Sequence, residues 1–524
     1  MAIHYFVKTN TKNMKSNPQS KVGIDDMALY IPNLYLSIEV LAKERGISFE
    51  KLSKGLGLDK MAIPDAHEDA ATMAANAAAE IIERNQLNPK DIGRIYLGTE
   101  SALDGAKPTA TYVLEMLRRK YKKEYGVDCF QNCDVVDLTF ACVGGVDALH
   151  NTLDWVRGNP SRIGIVIASD FAKYELASTG EYTQGAGAIA MLIKQNPRLL
   201  VIEDTIGVAT QGVHDFFKPK RSFSKKALIE EILQLANIND VSATDILAKL
   251  PDSLEIHGIL GENDQRLYLH KDTPIFDGPY SNQTYQNRIR EALLDFRNKR
   301  VAINELTAEE SILKNWSRMI FHLPYAAHGR RIASEIFMDD LKLSGDWVAF
   351  AAENELSIPQ IEAFEEKAAF EKAYGLFLRS ITKTVLYKAF VKEKLYQAEA
   401  TSAQVGNMYA CSIFLALMGT LEADYLAGNE LGAKKLGCIG YGSGSKSKVF
   451  EVQVQPGWRA VVEQFKIHEK LENRQEIDYA TYENLHRLQR SNSVQVPING
   501  FKLDRVSEEP LRKGARYYSF GIGE

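Results

Sequence analysis

The chain has 524 residues, of which 45% are apolar and 25% charged, and a net charge of −5. A chain of this length buries most of its apolar surface without staples, and its acidic balance gives no electrostatic reason to expect nucleic acid or an anionic membrane as partner. Five irregularly spaced cysteines exclude a disulfide framework and fit a reduced, cytoplasmic compartment.

In chain order, Met1 to Lys21 is polar and reads as a loosely attached extension, without the apolar centre of a signal peptide. No apolar run approaches the roughly 20 residues that a membrane span needs. Ala70 to Asn85 has helical spacing, and Arg94 to Gly98 reads as a buried strand. Asp134 to Leu138 and Ile163 to Ala168 read likewise, with a helix over Val143 to Val156 between them. Gly187 to Ile193 and Leu199 to Glu203 look like a strand pair. Tyr280 to Phe296 predicts a helix, Met319 to Phe321 a strand stub leading into His322, and Asn407 to Glu422 a long apolar helix. Leu436 to Gly440 and Lys448 to Val454 flank the turn Tyr441-Gly442-Ser443-Gly444 as a hairpin. Alternation of this kind predicts an α/β fold.

The element order suggests duplication, with one half over 22–203 and a second over 204–458. Charged helical insertions near 224–270 and 341–399 and a polar tail over 459–524 lie outside that framework. Their roles stay open between surface packing, dimer contact and cover for a ligand.

Four short windows carry chemistry. Cys142 follows a strand and precedes a helix, where N–H groups and the helix dipole would favour a thiolate and hold an oxyanion. Gly144 and Gly145 leave room for a ligand or a partner helix. Glu100 closes the strand ending at Gly98, the edge where α/β proteins place ligands, and desolvation there would make it a useful base. His322 ends an apolar run just before Pro324, a good place for a proton donor or carbonyl polariser. Taken singly, each has a plainer reading: a core thiol, a cap or loop acid, a structural histidine, and for Asn407 a helix cap. Cys129 and Cys133 lack a second cluster to complete a zinc site, so no metal is expected.

Together these windows resemble the 3-hydroxy-3-methylglutaryl-CoA synthase family, bacterial type, from about Val22 to Trp458. Gly98-Thr99-Glu100-Ser101 with Asp104 and Lys107 is similar to its glutamate loop, Phe140-Ala141-Cys142 to its nucleophile turn, and Phe321-His322-Leu323-Pro324-Tyr325 to its histidine motif. The runs Ala168 to Tyr174, Gly180 to Ala188, Val213 to Pro219, Phe276 to Ser281, Gly406 to Tyr409 and Tyr441 to Gly444 follow in the family's order.

The resemblance implies a thiolase-like duplicated α-β-α-β-α layered fold with helical insertions, a homodimer, and an acyltransferase of the mevalonate pathway leading to isoprenoids. Acetyl-CoA and acetoacetyl-CoA would be the substrates, with no cofactor beyond them. Cys142, Glu100 and His322 would be catalytic, and Tyr174 and Thr183 would line the acyl pocket. Asn407 would orient His322, and backbone near Ser443 would hold an oxyanion. Where many members carry a CoA-contacting lysine this chain has Ala327; Arg330 or Arg331 would meet the CoA phosphates instead, and His328 is expected at the surface. Carrier-protein-dependent relatives that install β-branches on polyketides share the small residue, so a carrier-protein donor is the alternative. A ketoacyl synthase III-like enzyme, which lacks the glutamate, and a non-catalytic thiolase-fold binding protein are the remaining readings.

Overall fold

The computed structural model describes residues 21–249, 266–495 and 497–521. The expected N-terminal extension as far as residue 20, and residues 250–265 of the first expected insertion, lie outside them.

Nine strands form one sheet: β1 (Val22–Tyr30), β2 (Ile92–Gly98), β3 (Asp134–Leu138), β4 (Ile163–Phe171), β5 (Ala186–Gln195), β6 (Leu200–Thr210), β7 (Trp316–Phe321), β8 (Lys435–Gly442) and β9 (Lys446–Val454). Their spatial order is β7-β8-β9-β6-β1-β5-β4-β2-β3. Outward from the central antiparallel pair β1/β6, each side repeats one pattern: an antiparallel neighbour (β5 or β9), a second antiparallel neighbour (β4 or β8), then a parallel one (β2 or β7). Only β3, parallel to β2, has no counterpart. This palindrome is the duplication expected from element order. The halves touch through a narrow joint: a Cβ on Gly23 would lie 1.9 Å from the Leu200 carbonyl oxygen, so only glycine fits there.

Helices complete the layers. α1 (Ala70–Arg84) starts in a capping box, with Asp69 accepting from the Thr72 amide and the Thr72 hydroxyl accepting from the Asp69 amide. Its alanine-rich face lies flat on the outside of the β1–β5 half beside α2 (Thr109–Tyr125). α3 (Gly144–Arg157) and α5 (Ser412–Leu426) form the buried middle layer. α4 (Gly278–Ala302) covers β6 and β9. The predicted helices at 70–85, 143–156 and 280–296 match α1, α3 and α4, whereas the one at 407–422 begins only at Ser412.

Two expectations change. The runs over 187–193 and 199–203 are strands, but they do not pair with each other, because β1 lies between them. β1 escapes an apolar-run reading because Asp25 and Asp26 interrupt it. Both acids are buried and satisfied: Asp25 accepts from the Arg198 amide at 2.8 Å and its Nε at 2.9 Å, and Asp26 accepts from Arg84 Nε at 2.8 Å. A bulge between Ile24 and Asp26 adjusts the ladder there.

The segments outside the sheet do separate jobs. Residues 330–405 hold five helices between β7 and α5. The ribbon of Arg221–Ser224 with Arg266–Leu269 borders a cavity beside Glu100. From the tail, Gln475–Glu476 pairs with Leu34–Ser37, and the hairpin Gly500–Val506 with Arg516–Gly521 lays Phe501 and Tyr518 against the α1/α2 layer. Among the described residues, no helix is long and apolar enough to cross a membrane.

Candidate active site

β3 ends at Leu138, and the chain turns through Ala141, at φ 40°, before α3 begins at Gly144. β2 ends close by, because neither Gly98 nor Gly145 has a side chain. A Cβ on Gly98 would sit 2.3 Å from the Gly145 nitrogen. The two strand ends are also sewn together, Thr99 N donating to Leu138 O and the Thr139 hydroxyl to Thr99 O, both at 3.2 Å. Backbone contact thus brings Glu100 beside Cys142, whose Sγ donates to Glu100 Oε1 at 3.1 Å.

That contact reverses one expectation. A helix N-terminus alone would lower the thiol's pKa, but burial pushes it well above its ordinary value and the Glu100 carboxylate pushes it further. The helix effect is exceeded, and Cys142 rests as a neutral thiol hydrogen-bonded to the Glu100 side chain.

Burial also raises Glu100, while the Lys218 ammonium, 3.6 Å from Oε2, and the thiol donor pull it back. Asp170 anchors the same region from behind. Its Oδ1 accepts from the Thr99 hydroxyl and the Glu100 amide, each at 2.9 Å, and its Oδ2 accepts from the Ala410 amide at 3.0 Å. Burial and the nearby Glu100 push the Asp170 carboxyl up to about 7.

His322 directly follows β7, and its amide donates to Ile439 O at 2.9 Å. Burial pulls the imidazole down to about 3, so it is neutral at ordinary pH, and its Nδ1 has no hydrogen-bond partner among the described residues. A cavity of 390 Å³ is lined by Cys142, His322, Tyr174, Thr183, Asn407, Ser443 and Arg331 together. Phe216, Phe276, Tyr285 and Tyr409 add an aromatic wall. Glu100 lines an adjoining cavity of 580 Å³ with Lys218 and Ala141. Residues far apart in the chain therefore meet at the C-terminal ends of β2, β3, β4, β7 and β8.

Details differ from expectation. The Asn407 carboxamide does not reach His322: its Oδ1 accepts from Tyr409 N at 2.9 Å and the Ser412 hydroxyl at 3.0 Å. It caps its own turn, the plainer reading. The Thr183 hydroxyl likewise donates to Gly180 O at 2.7 Å. His328 is not at the surface; it is buried, with its ring 4.2 Å from that of Tyr285 and 4.5 Å from that of Tyr325. Arg330 points away from the cavity into an ion pair with Glu399, its Nε 2.7 Å from Oε1. Arg331 stays at the cavity, exposed, with its Nε donating to the Tyr325 hydroxyl at 2.8 Å. Ser443 sits on a turn fixed by the buried Asp215, which accepts from the Tyr441 hydroxyl at 2.9 Å and Gly444 N at 2.8 Å.

Sequence reading gave Lys218, Asp170 and Tyr285 no role; only the quoted runs around the first two hinted at one. The tail's part was equally hidden. Tyr482 donates to Glu181 at 3.0 Å and accepts from Gln184 at 2.8 Å, while Gln184 Oε1 accepts from Tyr174 N at 2.7 Å. With His486 Nε2 2.8 Å from Tyr174 O, the helix Tyr479–His486 braces the cavity wall from behind. Among the described residues, no group of three or more His, Cys, Asp or Glu could hold a metal ion.

Comparison with known proteins bears on what this cavity handles. Family models described as hydroxymethylglutaryl-coenzyme A synthase N terminal and C terminal match residues 17–197 and 268–519. A hydroxymethylglutaryl-CoA synthase of Haloferax volcanii is 30% identical over 89% of this chain and 91% of its own length. The Schizosaccharomyces pombe enzyme of that name is 26% identical, covering 96% of both chains, and that of Enterococcus faecalis 25% identical, covering 88% and 90%. Among solved structures, MvaS in complex with 3-hydroxy-3-methylglutaryl coenzyme A superposes with a TM-score of 0.72 at 23% identity, over 96% of this chain and 99% of that one. The HMG synthase of the curacin biosynthetic pathway does so with 0.64 at 18%, over 95% and 100%. At these identities the structures speak for the shared fold.

Proposed function

The chain belongs to the hydroxymethylglutaryl-coenzyme A synthase family, and on that premise we propose how its cavity condenses acetyl-CoA with acetoacetyl-CoA. It is an acyltransferase with a place in the mevalonate pathway. The observation that carries the residue assignment is the 3.1 Å contact between Cys142 Sγ and Glu100 Oε1 at the edge of a cavity that His322 also lines.

In the first half-reaction Cys142 attacks the acetyl thioester. The thiol proton ends on the departing CoA sulfur, so acetyl-CoA and thiol become acetyl-cysteine and free CoA. Glu100, as a carboxylate, then removes a proton from the acetyl methyl group. The resulting enolate carbon adds to the C3 carbonyl of acetoacetyl-CoA, whose oxygen meets the neutral imidazole of His322. That oxygen ends as a hydroxyl, and the proton it gains balances the one taken from carbon. Water cleaves the thioester last: one of its protons returns to the Cys142 sulfur, the other passes to solvent, and the product leaves as a carboxylate. Amides at Cys142 and Ser443 hold the transient oxyanions, contributing a few kcal/mol each. Tyr174 and Thr183 wall the acyl group, and Arg331 faces the CoA phosphates.

The chain acts as a homodimer in the cytoplasm on this reading. Support comes from β3, an edge strand with one side unpaired, and from five free cysteines. The test is a steady-state assay of acetyl-CoA with acetoacetyl-CoA, following loss of the enolate absorbance. Turnover with acetyl-CoA supports the reading; turnover only with an acetylated carrier protein replaces the donor but keeps the chemistry. No turnover with either refutes it.

A further inference from the structure

Burial disfavours the charge of Glu100. Its backbone amide is tied to the Asp170 carboxyl, and the rings of Tyr174 and Tyr409 close the site around it. Two groups offset the burial, the Cys142 thiol on Oε1 and Lys218. Its Nζ lies 3.6 Å from Glu100 Oε2 and 3.3 Å from the Glu100 carbonyl oxygen, and 4.8 Å from the centre of the Tyr409 ring. Both side chains are largely withdrawn from water, 13% exposed for Lys218 and 6% for Glu100. Among the described residues, no other cation comes within 4.0 Å of the Glu100 carboxylate. Further out, Lys220, His270 and Asp104 line the same adjoining cavity.

The two partners of Glu100 do not last equally long. The thiol donor on Oε1 exists only while Cys142 is free. Once the sulfur carries an acyl group it has no proton to donate, and the carboxylate keeps Lys218 alone. We propose that Lys218 is a positioning residue for the carbon–carbon bond-forming half-reaction: it keeps Glu100 ionised and its free oxygen aimed at the acyl methyl after the thiol has been consumed. The inference rests on the reading of Glu100 as the carbon base. It places the effect of Lys218 in one half-reaction, because in the other the thiol shares the load. No atom is transferred to or from the ammonium, so the proton balance given above is unchanged.

The experiment compares Lys218→Met, close in length but uncharged, and Lys218→Arg with the wild-type chain in two assays. Labelled acetyl-CoA measures acyl-enzyme formation, and uptake of solvent deuterium into the acyl methyl measures carbon deprotonation. In Lys218→Met, acylation stays near wild type while deuterium uptake and condensation fall about tenfold or more at pH 7, a part of what a general base contributes. The deficit shrinks as pH rises, because alkali ionises Glu100 without help, and Lys218→Arg restores most of the rate. Equal loss of both half-reactions, or a pH profile parallel to wild type, would mean that Lys218 merely supports the fold and would overturn the proposal. A wild-type chain that takes no label overturns the reading of Cys142 instead, an outcome distinct from both.

Discussion

Ala141 and Tyr409 are held at φ 40° and 43°, each three residues ahead of the first residue of its helix, Gly144 or Ser412. The two helices are counterparts in the duplicated fold: α3 runs between β3 and β4, α5 between the inserted helices and β8. After the bend, the first turn presents Cys142, with a sulfur that faces Glu100. The second presents Ala410, fully buried, with an amide spent on Asp170. Asn407 N donates to Thr183 O at 2.8 Å, and Tyr409 N is taken by Asn407. One copy of the bend opens its side chain, Cys142, to the cavity, and the other is closed by its own hydrogen bonds and serves as a wall. The same backbone device is cheap to hold in both places because neighbouring structure over-determines it.

The harshest way to break this comparison is to move the nucleophile. Cys142→Ala combined with Ala410→Cys should take no acyl label, because position 410 is fully buried and does not open to the cavity; labelled acetyl-CoA and mass spectrometry read the outcome. Glu100→Gln should separate the two jobs of the open turn. The acyl-enzyme still forms, but condensation falls roughly 10³-fold, the usual range for a lost general base. Equal loss of both steps would leave Glu100 a structural role only.

His322 offers a test through pH. Its folded value of about 3 lies below its ordinary 6.5. The stability it contributes is therefore complete above pH 6.5 and lost as pH falls toward about 3, since the unfolded chain takes up the proton first. In His322→Asn the loss between pH 7 and pH 4 should be smaller by about 3 kcal/mol, measured by urea unfolding at both values. Asp170→Asn should give the smallest effect, about 1–3 kcal/mol of stability. Its new amide hydrogens face a donor, Glu100 N or Ala410 N, whichever way the group turns. Hydrogen exchange should then rise at both Glu100 and Ala410, whereas a rise at only one would break the claim that Asp170 anchors both.

How much was legible follows from where each residue's partners lie. β2, β4 and β5 read directly because each holds an apolar run between punctuating residues, and β3 read despite Asp134 and Asp137. β1 did not, since its acids make sense only against Arg84 and Arg198, 58 and 173 residues away. Catalytic candidates announced themselves by local grammar, a reactive side chain just past a strand end, and the resemblance tied them together. Their ionisation was not readable. The helix N-terminus beside Cys142 is a local cue, but Glu100, 42 residues earlier, exceeds it. His328 misleads in the same way, because its run Ala326-Ala327-His328-Gly329-Arg330 looks polar while Tyr285 covers it from another helix. Lys218 acts through a neighbour 118 residues distant, and nothing beside it in the chain says so.

The two halves of the sheet meet at a joint only two residue pairs wide, Gly23 with Val201 and Ile24 with Leu200. Asp170 belongs to one half and grips the other through the Ala410 amide, while its second oxygen steadies Glu100. Base and opposing wall therefore hang from one carboxyl group, and the spacing between them is set inside the chamber.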